Sequence, residues 1–160
     1  MTVRILSATL ACLVSAALCQ TQPALTVQGV DGKSVTLHAA DLQALPHQTV
    51  KSADRGTSVT FDGVRLADIM SKVALPTGEK FHKTATSYYL LVDARDGYRA
   101  VFAWAELDPT FMDKEIYLVT GRDGKPLSDR DGPFQLVVPG EKRGGRSVRQ
   151  VTSLKIQQAN

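Results

Sequence analysis

Short apolar runs separated by Asp-Gly turns recur along this chain and constrain its fold more than any other feature. Such turns stand at Asp31-Gly32, Asp54-Arg55-Gly56, Asp96-Gly97 and Asp123-Gly124. Glycine accepts positive φ, and aspartate bonds to nearby backbone N–H groups, so these pairs favour tight reversals between strands. The clearest predicted hairpin joins strands at residues 87–94 and 98–104. The other predicted strands cover residues 24–30, 35–37, 48–51, 58–61, 116–120, 134–138 and 148–156.

Two short helices are expected among these strands. Residues 39–45 favour a helix that Pro46 ends. The pair Asp62-Gly63 is predicted to turn the chain into a second helix, and a further helical turn is expected within 105–112. The second helix has an apolar stripe of Leu66, Ile69, Met70 and Val73. Because helices and strands do not alternate regularly, the pattern predicts a β-rich α+β domain.

The first nineteen residues have the organisation of a secretory signal peptide. Arg4 supplies the positive start, residues 5–18 are mostly apolar, and small residues near Cys19 favour cleavage after it. Lipidation of Cys19 remains an alternative, although Leu18 stands where a small residue is expected. We therefore expect a signal peptide at 1–19, a mature domain at 24–157, and a periplasmic or secreted location.

Cysteine content sets the chemistry that the mature domain can use. Cys12 and Cys19 are the only two cysteines, and both lie in the predicted signal. The mature domain then has no disulfide, no thiolate metal ligand and no cysteine nucleophile. A domain of this size buries roughly two-thirds of its surface, enough to fold on its core alone. No later apolar segment is long enough to span a bilayer, so no transmembrane span is expected in the mature chain.

The charge balance argues against nucleic acid as a partner. The 19 basic side chains include Arg4, so 18 remain against 16 acidic ones, a net charge of +2. That charge is too weak for a nucleic-acid footprint, and the few scattered aromatic residues offer no platform for base stacking.

Positive charge is nevertheless concentrated in one loop within residues 131–156, between two predicted strands. Lys142, Arg143, Gly144 and Arg146 are the candidate binding residues of this loop. Its glycines free the backbone N–H groups to face an anion, and Arg146 offers a planar donor suited to phosphate. The alternative is a solvated connection with no ligand. A small anionic ligand is therefore one candidate partner.

Other candidate chemistry favours structural roles. The histidines His38, His47 and His82 lack the spacing of a zinc site, and no serine has the surroundings of a hydrolase nucleophile. The acidic residues near the strongest hairpin lack the spacing of a calcium loop. Glu106 is expected to cap a helical turn.

Four motifs in order give the chain a family resemblance. They are Phe61-Asp62-Gly63-Val64-Arg65-Leu66-Ala67-Asp68-Ile69, Asp96-Gly97-Tyr98-Arg99-Ala100-Val101-Phe102, Gly124-Lys125-Pro126-Leu127 and Gly132-Pro133-Phe134-Gln135-Leu136-Val137-Val138-Pro139. Together they resemble the molybdopterin-binding domain of the sulfite oxidase family, especially its short, secreted bacterial members. The resemblance covers nearly the whole mature chain. It implies a β-rich α+β fold with a β-grasp-like part, and molybdopterin as the cofactor.

The chain departs from that family at the metal ligand. The resemblance implies a cysteine thiolate on molybdenum, placed within 50–53, but this stretch reads Val50-Lys51-Ser52-Ala53. A serine alkoxide is a hard donor and does not replace a thiolate in any ordinary way. Gln135 stands where catalytic members usually have arginine, and Gly145 where they have an aromatic residue. Arg146 stands where the resemblance implies a pterin-contacting lysine.

Three functions remain open from the sequence. The first is a periplasmic module that binds a pterin, a nucleotide-like molecule or a simple oxyanion without oxidising it. The second is a molybdopterin-dependent oxidoreductase that holds its cofactor without a thiolate. The third is a module for a periplasmic protein partner, with Tyr88, Tyr98, Phe102 and Trp104 as a candidate apolar face, although core packing explains these aromatic residues better.

Overall fold

The computed structural model describes residues 22–73 and 83–159, which form two β-sheets with few helices. The strands are β1 (Ala24–Gln28), β2 (Ser34–His38), β3 (His47–Asp54), β4 (Thr57–Arg65), β5 (Tyr88–Ala94), β6 (Arg99–Ala103), β7 (Tyr117–Arg122), β8 (Lys125–Pro126), β9 (Gln135–Val137) and β10 (Val151–Gln158). The helices α1 (Ala39–Gln43) and α2 (Leu66–Met70) are short. The 3-10 turns are Ala85–Ser87, Trp104–Glu106 and Gly144–Arg146. The predicted β-rich α+β class is confirmed.

The first sheet has the strand order β2-β1-β10-β5-β6. The last strand, β10, lies in its centre, parallel to β1 with Thr26 opposite Ser153, and antiparallel to β5. The two predicted hairpins, β1–β2 and β5–β6, form its flanks. The sheet therefore depends on pairing between the two ends of the described chain.

The second sheet has the order β3-β4-β7-β8, and β9 also pairs with β7. Successive side chains of a strand point to opposite faces, so this sheet contacts two apolar clusters. One face adds Val64, Leu118 and Leu136 to the large core that also contains the inner residues of the first sheet. The other face carries a smaller apolar cluster, formed by Val59, Phe61, Tyr117, Val119 and Val137.

The turn predicted at Asp62-Gly63 is wrong, because both residues lie inside β4. Gly63 pairs with Val119 of β7. A Cβ atom added there would overlap Leu118 O and lie 2.6 Å from Val119 Cα. The glycine therefore permits close approach of two backbones rather than a reversal.

The other predicted turns are confirmed. Gly32, Gly56, Gly97 and Gly124 have φ values between 74° and 85°, as tight reversals require. Among the remaining differences, β4 is longer than predicted, α1 and the 3-10 turn at Trp104–Glu106 are shorter, and Lys125–Pro126, where no strand is predicted, forms β8. The predicted signal peptide, His82 and the predicted end of the second helix near Pro76 lie outside the described residues.

Within residues 22–73 and 83–159, no helix combines the length and the apolar character that crossing a bilayer requires.

Gly63→Ala is expected to lower the free energy of unfolding by about 3 kcal/mol, because the added methyl group meets backbone that cannot move aside. Urea unfolding followed by circular dichroism would measure the change. Gly144→Ala is the matched control, since a Cβ atom there meets nothing within 4 Å. Equal stability of the two variants would contradict the close approach.

Candidate ligand-binding cleft

A cleft of about 740 Å³ lies over the smaller apolar cluster of the second sheet. Four parts of the chain line it: the β3–β4 hairpin, strand β9, the loop from 139 to 149 that follows it, and the β5–β6 turn with Asp96 and Tyr98. Its main lining residues are Ser52, Ala53, Arg55, Phe61, Gln135, Val137, Lys142, Arg143, Gly144 and Arg149. The cleft thus brings together the basic loop and the segment where the resemblance places a metal ligand.

The floor of the cleft is apolar except for one amide. Phe61 of β4 and Val137 of β9 belong to the smaller cluster and are almost fully buried. Gln135 lies on the same face of β9, opposite Val119 of β7, and is only 3% exposed. Within the described part of the chain, its Oε1 atom has no hydrogen-bond partner. A buried acceptor without a partner is costly, so this amide is the least satisfied group of the floor.

Three cations lie at the rim of the cleft, which the carboxylate of Asp96 also lines. Lys142 and Arg143 are exposed on the loop, and Arg55 is exposed at the tip of the β3–β4 hairpin. Within the described residues, none of these three side chains forms an ion pair. Their charge is therefore available to an anion entering from solvent. Gly144 lies beside them with open space at its Cα, so backbone is accessible there.

The fourth cation of the cleft, Arg149, is already paired. Its guanidinium lies 3.4 Å from Asp54 Oδ1 and 3.0 Å from Asp131 Oδ1. Asp54 also accepts a hydrogen bond from Arg122 Nη1 at 2.6 Å. These contacts connect the β3–β4 hairpin to β7 and to the end of the loop, and they neutralise Arg149.

Arg146 does not line the cleft. Its Nη1 atom donates to both carboxylate oxygens of Glu106, at 3.0 and 2.9 Å, and its Nε donates to Glu141 at 2.9 Å. The guanidinium also lies over the Phe102 ring, 4.8 Å from its centre. Lys114 Nζ completes the cluster, 3.0 Å from Glu141 Oε1. Of the four predicted binding residues, the structure therefore brings Lys142, Arg143 and Gly144 to the cleft and places Arg146 behind the loop.

Ion pairing within this cluster shifts the pKa values of Glu141 and Arg146. Burial opposes ionisation of Glu141, but hydrogen bonds from Arg146 and Lys114 outweigh it and hold the pKa of Glu141 below its ordinary value. The bond with Glu141 and the bonds with Glu106 raise the pKa of Arg146. Glu106 also accepts a hydrogen bond from Ala103 N–H at 3.3 Å, which confirms its predicted capping role.

A tyrosine beside β6 of the first sheet forms a hydrogen bond with the basic loop. The Tyr98 hydroxyl, at the start of the β6 arm, donates to Gly145 O at 2.6 Å. Tyr98 is half exposed and lines the cleft. Phe102 and Trp104 are buried, so core packing accounts for these two members of the candidate apolar face.

No group of three His, Cys, Asp or Glu side chains suited to a metal ion occurs in the part of the chain that the structure describes. His38 and His47 lie on separate elements, as predicted. Ser52 and Ala53 line the cleft from β3, at the segment where the resemblance implies a thiolate.

Sequence comparison then decides the family. The sequence pattern of the oxidoreductase molybdopterin binding domain matches residues 16–160. The chain belongs to this family. The predicted family and the predicted sulfite-oxidase-like fold are thereby confirmed. No curated protein matches the chain.

The fold of this molybdopterin-binding, oxidoreductase-like domain is also found in a larger enzyme. It matches the crystal structure of the sulfane dehydrogenase SoxCD from Paracoccus pantotrophus, with a TM-score of 0.65 and 18% sequence identity. The match covers 84% of this chain and 38% of that chain. The chain thus spans well under half the length of the solved relative, and the likeness concerns the fold.

Sequence reasoning misses two residues of the cleft and the partners of Arg146 behind the loop. Gln135 was noted only as a departure from the family, yet it forms the polar point of the floor. The sequence places Arg55 only in a turn, and its approach to the loop follows from tertiary structure. The partners of Arg146 were also missed, because Glu106 is forty residues away in sequence.

Arg146→Ala is expected to lower the free energy of unfolding by about 2 kcal/mol at pH 7. The substitution removes one of two cations beside Glu106 and Glu141, so that Lys114 must neutralise both carboxylates. The pKa of Glu141 is depressed in the folded state, so its stabilisation exists above the ordinary value of 4.5 and disappears as the pH falls through the folded pKa. The difference between wild type and variant should therefore shrink in acid.

Urea unfolding at pH 7 and near pH 3.5 would measure both effects. Arg99→Ala is the control, because Arg99 is largely exposed and Asp93 keeps its bond to Lys155. A stability unchanged by Arg146→Ala would contradict the structural role of this cluster.

Proposed function

We propose that this domain is a periplasmic or secreted module whose cleft binds an anionic organic ligand of the molybdopterin class without thiolate-based molybdenum catalysis. The observation that carries the proposal is the meeting of Ser52 and Ala53 with the unpaired cations of the loop in one cleft. Family membership supports the ligand class. The predicted N-terminal signal supports the location.

The cleft fits the organic part of the cofactor. Lys142 and Arg143 would hold a phosphate at the rim, with Arg55 facing them from the hairpin. Phe61 and Val137 provide apolar surface for the body of the ligand, and Gln135 provides one polar contact at the floor. A volume of about 740 Å³ lies within the usual range for small-molecule sites.

The donor set does not fit the metal part. When bound, a molybdenum pterin supplies two-electron redox chemistry, and the resemblance implies a thiolate to hold the metal. Ser52 offers only a hydroxyl, and the chain has no cysteine after Cys19. A neutral hydroxyl does not become a metal ligand as readily as a thiol, whose pKa is far lower. Binding is therefore the function that these residues support best.

A molybdopterin-dependent oxidoreductase without a thiolate is the second candidate, and the family match favours it. The full chain, produced with its own N-terminal segment and isolated by cell fractionation, separates the two. Molybdenum at one atom per chain would favour the oxidoreductase. Pterin or its phosphate without molybdenum would favour the binding module, and recovery in the cytoplasm would contradict the location.

Charge reversal at the rim tests the binding site. The double variant Lys142→Glu and Arg143→Glu is expected to weaken binding of neopterin 3′-phosphate at least ~10-fold, because both side chains face the phosphate without an internal partner. Isothermal titration calorimetry gives the dissociation constants. The control is Lys33→Glu with Lys72→Glu, which makes the same charge change at exposed positions away from the cleft. Equal weakening in both double variants would contradict a local site.

A further inference from the structure

Gln135 differs from the other buried polar residue of the described chain. Ser153 is 8% exposed, and its hydroxyl donates to Asp93 at 2.8 Å. Gln135 is 3% exposed, and its Oε1 has no partner. An apolar side chain of the same size would fill this position without desolvating an amide. An unsatisfied buried amide costs free energy in the unliganded protein, and a ligand donor would remove that cost.

The side chain of Gln135 lies on the cleft side of β9, with Oε1 just below the accessible surface of the floor. Strand β9 sends Leu136 into the large core, whereas Gln135 and Val137 face the smaller cluster on the opposite side. Both of these residues line the cleft. Phe61 of the floor and Val119 of β7, which pairs with Gln135, have no polar side-chain atom, and no group of the described chain donates to Gln135 Oε1.

The floor and the rim therefore differ in charge. Unpaired cations occur at the rim, on Lys142, Arg143 and Arg55. At the inner side, Arg149 is neutralised by Asp54 and Asp131. The atom without a partner is a carbonyl oxygen, which an N–H or O–H donor satisfies and an oxyanion does not.

We propose that Gln135 determines ligand specificity, by accepting a hydrogen bond at Oε1 from a neutral N–H or O–H group on the body of the ligand while the anionic end lies at the rim. The ligand class is a phosphorylated organic molecule with a polar ring, and a bare oxyanion does not satisfy the floor. This inference rests on the proposed binding function and names the chemistry that the cleft selects.

The test compares three probes by calorimetry on wild type and on Gln135→Met, which keeps the unbranched shape of glutamine. Neopterin 3′-phosphate carries ring N–H donors and a phosphate. Phenyl phosphate carries an apolar ring and a phosphate, and inorganic phosphate carries the anion alone. The variant should bind neopterin 3′-phosphate roughly tenfold more weakly and the other two probes with unchanged affinity.

A second readout needs no ligand. Without ligand, Gln135→Met should melt about 3 °C above wild type, because it removes an unsatisfied buried amide. Gln135→Leu is a second variant with the same expected direction. Gln157→Leu is the control: Gln157 is exposed on β10, accepts a hydrogen bond from Tyr89, and should leave all three affinities unchanged.

The outcomes separate this inference from the proposed function. Tight binding of neopterin 3′-phosphate that Gln135→Met leaves unchanged overturns the role of Gln135 and leaves the cleft intact as a site. Preferential binding of inorganic phosphate through Gln135, or lower melting temperatures for both Gln135 variants, also overturns that role. Failure of wild type to bind neopterin 3′-phosphate overturns both proposals.

Discussion

Burial of strand β9 on both of its faces is the constraint on which the cleft depends. Leu136 packs into the large core, and Val137 packs into the smaller cluster on the other side of the same sheet. Backbone bonds also hold this region, since Leu136 N–H donates to Val148 O at 2.7 Å and Val151 N–H donates to Phe134 O at 2.9 Å. Both ends of the basic loop are thus fixed by packing and hydrogen bonds, and loop residues line the same cleft as Gln135.

The cations of the loop divide into two groups with different physical roles. Arg146 is partly buried between two carboxylates and an aromatic ring, where a charge must be paired to be tolerated. Lys142 and Arg143 are exposed and unpaired within the described chain, so solvent stabilises them until an anion replaces it. Sequence alone treats all of these residues as one basic patch. Burial separates the structural cation from those that face the cleft.

Much of the fold could be predicted, because its signals are local. Asp-Gly pairs with positive φ at glycine, apolar alternation and the stripe of α2 each depend on neighbours within a few residues. Gly63 shows where this reasoning fails. Asp62-Gly63 is also an Asp-Gly pair, but it lies within a strand, and its glycine is needed because the backbone of β7 approaches closely. The candidate site could be predicted only in part, because only some of its features depend on neighbours in sequence. The position of Lys142 and Arg143 in one loop is local, whereas the approach of Arg55 and the pairing of Arg146 with Glu106 are not.

The hydrogen bond from Tyr98 to Gly145 joins the β5–β6 hairpin of the first sheet to the loop over the second. Together with the ion pairs of Arg146, it restricts the loop before any ligand arrives. A binding segment that is already ordered loses little conformational entropy on association, so its contacts translate more fully into affinity. The loop is in this sense preorganised, so under the proposed binding function little of the binding free energy would be spent on ordering it.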